Sequence, residues 1–350
     1  MYSDNTARIV VLPGGGTRGY SPICYLELFA NLWGVPFEQW YPFVDVVAGT
    51  SVGSFSTAAL AKGGITTTTI KNFFLQKAPK IFTIRSVTEI GQCDTSTTSN
   101  RPNTAQKIGL ILTNNPFYES ACSPSSGNSN YGSNILHSSL VEMFGEMKLN
   151  ELQTQVLIPA VKESSNEFVY FSSFNGFPYQ QNDAKIVDVL RASSAAPIYL
   201  PSYTFNNAIY TDGGLFNNAP IMSALKLAKR VKPQAKKFCV LVLDTGKTPY
   251  GFEGETTGDV ETSISRLVKL YEVAMDGNTS NELLNLQLET QYNIDLNNQV
   301  YSHVYRPVYD SILEIDNSTT DFFNLQSTKA TTAFNNNMTE VANFLTHWTQ

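Results

Sequence analysis

Two successive strand–loop–helix units, each with glycine in its connection, and a later series of short apolar strands predict an α/β protein with a mainly parallel sheet covered by helices. The first unit joins an apolar strand over 8–12 to a glycine loop over 14–19 and a helix marked by Ile23, Leu26, Phe29 and Leu32. The second joins the apolar run 43–48 to Gly49, Thr50, Ser51, Val52 and Gly53, then to a helix through Ala58, Ala59 and Leu60. Residues 91–133 are dominated by Ser, Thr, Asn, Pro and Gly, a composition that predicts a surface excursion or flap. Periodicity returns as a helix through Leu136, Leu140, Met143 and Phe144, followed by strands over 155–161, 167–171, 208–210 and 238–243 and a helix over 221–231. Beyond Gly246 the pattern is mainly helical, notably over 264–275 and 333–348. The chain therefore divides into a unit over 1–250 that carries the chemistry and a mainly helical extension over 251–350 packed upon it.

Composition narrows the function classes. Of 350 residues, 42% are hydrophobic and 12% aromatic, enough to bury a core and too many for a disordered chain. Lys and Arg number 24 against 30 Asp and Glu, a net charge of −6 with no basic run, which argues against a nucleic-acid partner. Cys24, Cys93, Cys122 and Cys239 form no Cys-x-x-Cys pair, so neither a zinc site nor a disulfide framework is indicated, and they read as reduced thiols. The amino terminus lacks the pattern of a signal peptide, and no run approaches the roughly 18 apolar residues that span a bilayer. The expectation is a cytoplasmic or non-classically exported protein with no transmembrane segment, whose membrane contact is peripheral.

Three glycine-flanked strand ends carry candidate chemistry. Gly49-Thr50-Ser51-Val52-Gly53 is a G-x-S-x-G sequence between an apolar strand and a helix, where a tight turn pushes the serine hydroxyl outward. Gly14, Gly15, Gly16, Thr17, Arg18 and Gly19 also open a helix, so their N–H groups can converge on negative charge, as an oxyanion hole or as a phosphate cradle. Gly14, Gly16 and Gly19 satisfy G-x-G-x-x-G, but a dinucleotide would need an acidic residue at the end of the next strand, where the serine turn stands. Asp212, followed by Gly213 and Gly214, supplies a carboxylate at a further strand end. His137, His303 and His347 are the only histidines; the order Ser51, Asp212, then His303 or His347 would suit a triad, although neither histidine lies in such a loop. Asp244 reads as a turn former, and the Val341, Phe344, Leu345, Trp348 stripe as core packing in preference to lipid docking.

Taken in order, Gly14 to Gly19, Gly49 to Gly53, Arg191-Ala192-Ser193-Ser194-Ala195-Ala196-Pro197 and Asp212-Gly213-Gly214 resemble the patatin-like phospholipase family over about two thirds of the chain, residues 8–246. The resemblance implies a three-layer α/β/α fold and a dyad: Ser51 attacks an ester carbonyl, and Asp212 accepts its proton and later activates water. It assigns the oxyanion to the first glycine loop, with Arg18 forming or buttressing it, and it implies no metal and no organic cofactor. Pro13 departs from the pattern where plant members tend to carry Asp, and Leu243-Asp244 where a small residue often precedes the Thr-Gly. The implied substrate is a phospholipid or other acyl lipid met at a membrane surface, cleaved in the manner of a phospholipase A, with an activating protein partner left open. A non-catalytic lipid-binding or storage protein on the same fold is the alternative. Tyr199, Tyr203 and Phe205 are candidates to line an acyl pocket. An unperturbed Asp, with a pKa near ~3.9, is a weak base for a serine hydroxyl, so proton transfer has to accompany bond formation.

Overall fold

The computed structural model describes residues 5–82, 132–176, 183–197, 199–249, 260–292, 298–311 and 313–350. The expected flap over 91–133 lies outside these, apart from Gly132 and Ser133. Among the described residues one sheet is formed by β1 (Thr6–Leu12), β2 (Val46–Gly49), β3 (Gln155–Lys162), β4 (Glu167–Ser172), β5 (Tyr203–Phe205), β6 (Ala208–Asp212), β7 (Lys237–Leu243) and β8 (Gln299–Tyr305). Strands β3, β2, β1, β7 and β8 lie side by side and parallel, while β4, β5 and β6 are antiparallel additions around β3.

The helices are α1 (Tyr20–Trp33), α2 (Val52–Lys62), α3 (Thr67–Asn72), α4 (Ala78–Ile81), α5 (Gly132–Phe144), α6 (Ile186–Ser193), α7 (Gly214–Asn217), α8 (Ile221–Val231), α9 (Val260–Tyr292), α10 (Thr320–Asn336) and α11 (Met338–Thr349). Strand β1 shows why there are three layers. Both its faces are apolar, as a central parallel strand requires: Val10 and Leu12 join a core with α1, α2, α10 and α11, whereas Ala7, Ile9 and Val11 join a second core with α8 and Leu286 of α9. In α11, Val341, Phe344 and Trp348 are buried, and Trp348 packs against Phe29, Trp33 and Trp40. The stripe is core, as its periodicity suggested.

Two features of the last third depart from the sequence reading. The helical pattern over 333–348 is two helices, divided at Asn337, whose backbone at φ −108° and ψ 15° is not helical. Strand β8 pairs with β7 along its whole length, so the sheet runs across the expected boundary at 250. Alternation in this strand is masked because a polar side chain, His303, faces inward, bonded to Tyr25 at 2.7 Å and Glu340 at 3.0 Å.

One detail of topology positions the site. Strand β4 occupies one edge of β3, so β2 and β6 share the other, β2 opposite 155–157 and β6 opposite 160–162. Running in opposite senses, they meet end to end, Ala48 opposite Leu157 and Asp212 opposite Ala160. The residue after β2's last turn and the last residue of β6 are thereby brought together.

Candidate active site

Ser51 follows β2 and precedes α2 with φ 53° and ψ −129°, a region that only a surrounding structure can impose on a non-glycine residue. The constraint is the approach of α2 to the sheet. A Cβ on Gly53 would lie 2.0 Å from the Leu12 carbonyl oxygen, so only glycine lets the helix start that close to β1. Thr50 ties the turn down, its N–H donating to the Leu12 carbonyl at 3.2 Å and its hydroxyl to the Asn217 carbonyl at 2.8 Å.

The glycine loop lies beside this turn because β1 and β2 are parallel and in register, Leu12 opposite Gly49. A Cβ on Gly14 would approach that of Ser51 to 3.0 Å. The loop is held from three directions: the Gly14 carbonyl accepts from Thr245 Oγ1 at 3.0 Å and Asn218 Nδ2 at 3.2 Å, and the Thr17 N–H donates to the Ile315 carbonyl at 2.7 Å. Gly16 adopts φ 57° with that carbonyl close by. The N–H groups of Gly14, Thr17 and Arg18 all have acceptors within the protein. Gly15 and Gly16 line the pocket with Ser51. Arg18 is buried and does not line the pocket; burial raises the Asp244 and Glu272 carboxyls, and the Arg18 charge works against both shifts.

The third sequence block acquires a physical role. Ser193 Oγ accepts the Ser51 N–H at 3.1 Å, and the Ala195 carbonyl accepts the Asp212 N–H at 3.0 Å and the Thr211 hydroxyl at 2.9 Å. One strap after α6 therefore fixes both Ser51 and Asp212. The Asp212 carboxylate is fully buried; Oδ1 accepts the Gly214 N–H at 2.6 Å, and Oδ2 has no hydrogen bond of regular geometry. Burial pushes its pKa up to about 7, against the opposing pull of the Ser51 hydroxyl and the Gly214 N–H. A Cβ on Gly213 would meet the Pro159 carbonyl at 2.4 Å, so this glycine lets the Asp212 turn press onto β3.

A pocket of about 590 Å³, counting its open mouth, has Ser51, Gly15 and Gly16 on its wall and is otherwise mostly apolar, with Phe55, Phe74, Leu136, Leu200, Met275 and Ile315. Of the three aromatic candidates, Tyr199 lines it, while Tyr203 and Phe205 pack with Tyr210 and Arg191 elsewhere. Tyr271, Met275 and Ile315 come from the last third of the chain, where the sequence placed only packing. They reach the pocket through tertiary packing of a long helix and a loop, and no local motif marks them.

The other candidates stand apart. His303 is buried between Tyr25 and Glu340, and His347 stacks on Tyr301 with ring centroids 3.8 Å apart. Neither lines the pocket, so no histidine triad assembles at Ser51. Asp244 is an ion-pair partner for Arg306, at 2.8 Å, and its role is that of an anchor where the sequence suggested a turn former. Cys24 and Cys239 are free, buried thiols; Cys93 and Cys122 lie outside the described residues. Among the described residues, no helix is long and apolar enough to cross a membrane.

Comparison with known proteins places this geometry in a family. The model of the family described as patatin-like phospholipase matches residues 10–225. A cGAMP-activated phospholipase of Pseudomonas aeruginosa is 26% identical over 247 residues, 70% of this chain and 64% of that protein. Patatin-like protein 2 of Arabidopsis thaliana is 29% identical over 239 residues, 63% and 52% of the two chains. The calcium-independent phospholipase A2-gamma of Oryctolagus cuniculus is 23% identical over 276 residues, 75% of this chain and 31% of that one. The matches thus take in less than two thirds of these relatives' own lengths. Among solved structures, VipD from Legionella pneumophila overlaps 94% of this chain and 67% of its own at 12% identity, with a TM-score of 0.37. The family match covers β2 to β6, the glycine loop, the serine turn and Asp212 together, and on it the chain belongs to the patatin-like phospholipases.

Proposed function

We propose that this chain is a lipid acyl hydrolase of phospholipase A type, cleaving fatty-acyl esters of phospholipids with Ser51 as nucleophile and Asp212 as its base. The observation that carries the reading is a strained serine on the wall of an apolar pocket, next to a buried carboxylate whose pKa is about 7. A base near neutrality is far better matched to serine chemistry at physiological pH than an ordinary aspartate. The acyl chain occupies the apolar pocket with its carbonyl carbon at Ser51 Oγ. As the Oγ–C bond forms, the serine proton passes to Asp212, and the N–H groups of Gly15 and Gly16 take the charge developing on the carbonyl oxygen. Asp212 then delivers that proton to the departing alcohol. In the second half, water attacks the acyl-enzyme, its proton going to Asp212 and from there to Ser51 Oγ as the acyl C–Oγ bond breaks and the fatty acid departs.

Arg18 buttresses the loop from behind, and the substrate is met by peripheral contact with a lipid surface. The relatives named as phospholipases support the reaction class. Fatty acid released from mixed phospholipid vesicles, measured for wild type and Ser51→Ala with both shown to be folded, tests the proposal. Release by wild type that falls to background in the variant is the expected result; equal release by both would remove Ser51 from the mechanism.

A further inference from the structure

Tyr271 of α9 lies beyond the stretch that the family model matches, yet it lines the pocket with Ser51. It is 7% exposed, and its Oη is sealed from solvent with no hydrogen-bond partner among the described residues. Buried hydroxyls of this kind ordinarily find a partner, and one that does not calls for a reason. Its neighbourhood supplies one. One turn further along α9, Met275 Sδ lies 3.0 Å from the point a Cβ on Gly214 would occupy, and Asp212 Oδ1 lies 3.0 Å from that same point. This part of α9 therefore covers the turn that carries Asp212, whose own Oδ2 also lacks a regular hydrogen bond. Burial first, and then the Asp212 charge, raises Tyr271 well above the usual tyrosine range, so its hydroxyl stays protonated and can donate.

We propose that Tyr271 is a further catalytic residue, donating a hydrogen bond from its hydroxyl to the oxygen of the departing alcohol and then to the water that replaces it. The assignment rests on the hydrolase reading above. Proton bookkeeping is unchanged by it: the Ser51 proton goes to Asp212 as the Oγ–C bond forms and from Asp212 to the departing oxygen as the C–O bond breaks, while Tyr271 keeps its own. Glycine N–H groups hold the carbonyl oxygen on one side, and Tyr271 steadies the other oxygen on the Asp212 side.

The test compares wild type with Tyr271→Phe on two esters of one fatty acid, a p-nitrophenyl ester, whose leaving group needs no help, and a simple alkyl ester, whose leaving group does. Because kcat/KM reports the first half-reaction, loss of the hydroxyl should lower it about 10- to 100-fold on the alkyl ester and by less than about threefold on the nitrophenyl ester. Removing an unpartnered buried hydroxyl should leave Tm unchanged or raise it, which separates the role from packing. Equal losses on both esters, or no loss on either, overturn the assignment while leaving the hydrolase reading intact. A folded wild type that cleaves neither ester overturns the hydrolase reading and this assignment with it.

Discussion

At the residue scale the proposed mechanism turns on the burial of a single carboxylate. An aspartate in water would be almost fully ionised at neutral pH and a poor acceptor for a serine proton; enclosed between β3, the strap after α6 and α9, Asp212 is moved to about 7. The sign is definite. In the proposed mechanism the base must be ionised to act, so kcat/KM is expected to rise with pH through about 7 and level above it, a limb with Asp212 as the titrating group. Measured pH profiles should therefore show that limb in wild type, no turnover in Asp212→Asn, and an unchanged limb in His347→Ala; a limb that disappears with His347 would point to a histidine base. Ser51 and Asp212 could be recognised in the sequence because each sits in a short glycine-flanked strand end, and that signal is local. The shift in Asp212 was not legible, since it depends on every element that seals the site.

Helix α10 and the loop before it reach back to the first glycine loop. Gln326 of α10 is fully buried; its Oε1 accepts the Ser21 N–H at 3.0 Å and its Nε2 donates to the Thr17 carbonyl at 3.2 Å. Gln326→Met keeps the bulk but takes the acceptor from the Ser21 N–H and one of two donors from the Thr17 carbonyl, which the Tyr20 N–H still serves, a cost of about 1–3 kcal/mol. Thermal unfolding should register it as a fall in Tm, and kcat/KM should fall with it as the loop loosens; a variant with unchanged Tm would show that the loop is held without this contact. The helices themselves were largely legible, α8 over 221–231 to the residue. Their contacts were not, because Gln326, Ile315 and Tyr271 carry no spacing that distinguishes them from any polar or apolar residue on a packed face. Strand β8 escaped for a related reason: an inward histidine is tolerated only because Tyr25 and Glu340 bond it, and neither partner is near it in sequence.

For the whole molecule, the last hundred residues complete the fold. They supply the strand next to β7, helices on both faces of the sheet, and Trp348 at the centre of an aromatic cluster. A chain ending at residue 250 would expose both cores at once. It should show no cooperative unfolding transition by calorimetry; a folded, cooperative fragment would mean that residues 251–350 are only packed upon a self-sufficient unit, as the division at 250 expected. The parallel centre covered by helices followed from the two strand–loop–helix units and the three-layer architecture from the family resemblance, whereas the head-on meeting of β2 and β6 along β3 did not, since strand direction and edge are properties of the assembled sheet.

The central claim is that this meeting makes Ser51 a nucleophile, and the most direct measurement is the site of covalent labelling by a fluorophosphonate, read by mass spectrometry of the digested protein. The account predicts an adduct on Ser51 in the wild type, formed much more slowly in Asp212→Asn. An adduct on another serine, or none on a folded wild type, would contradict it.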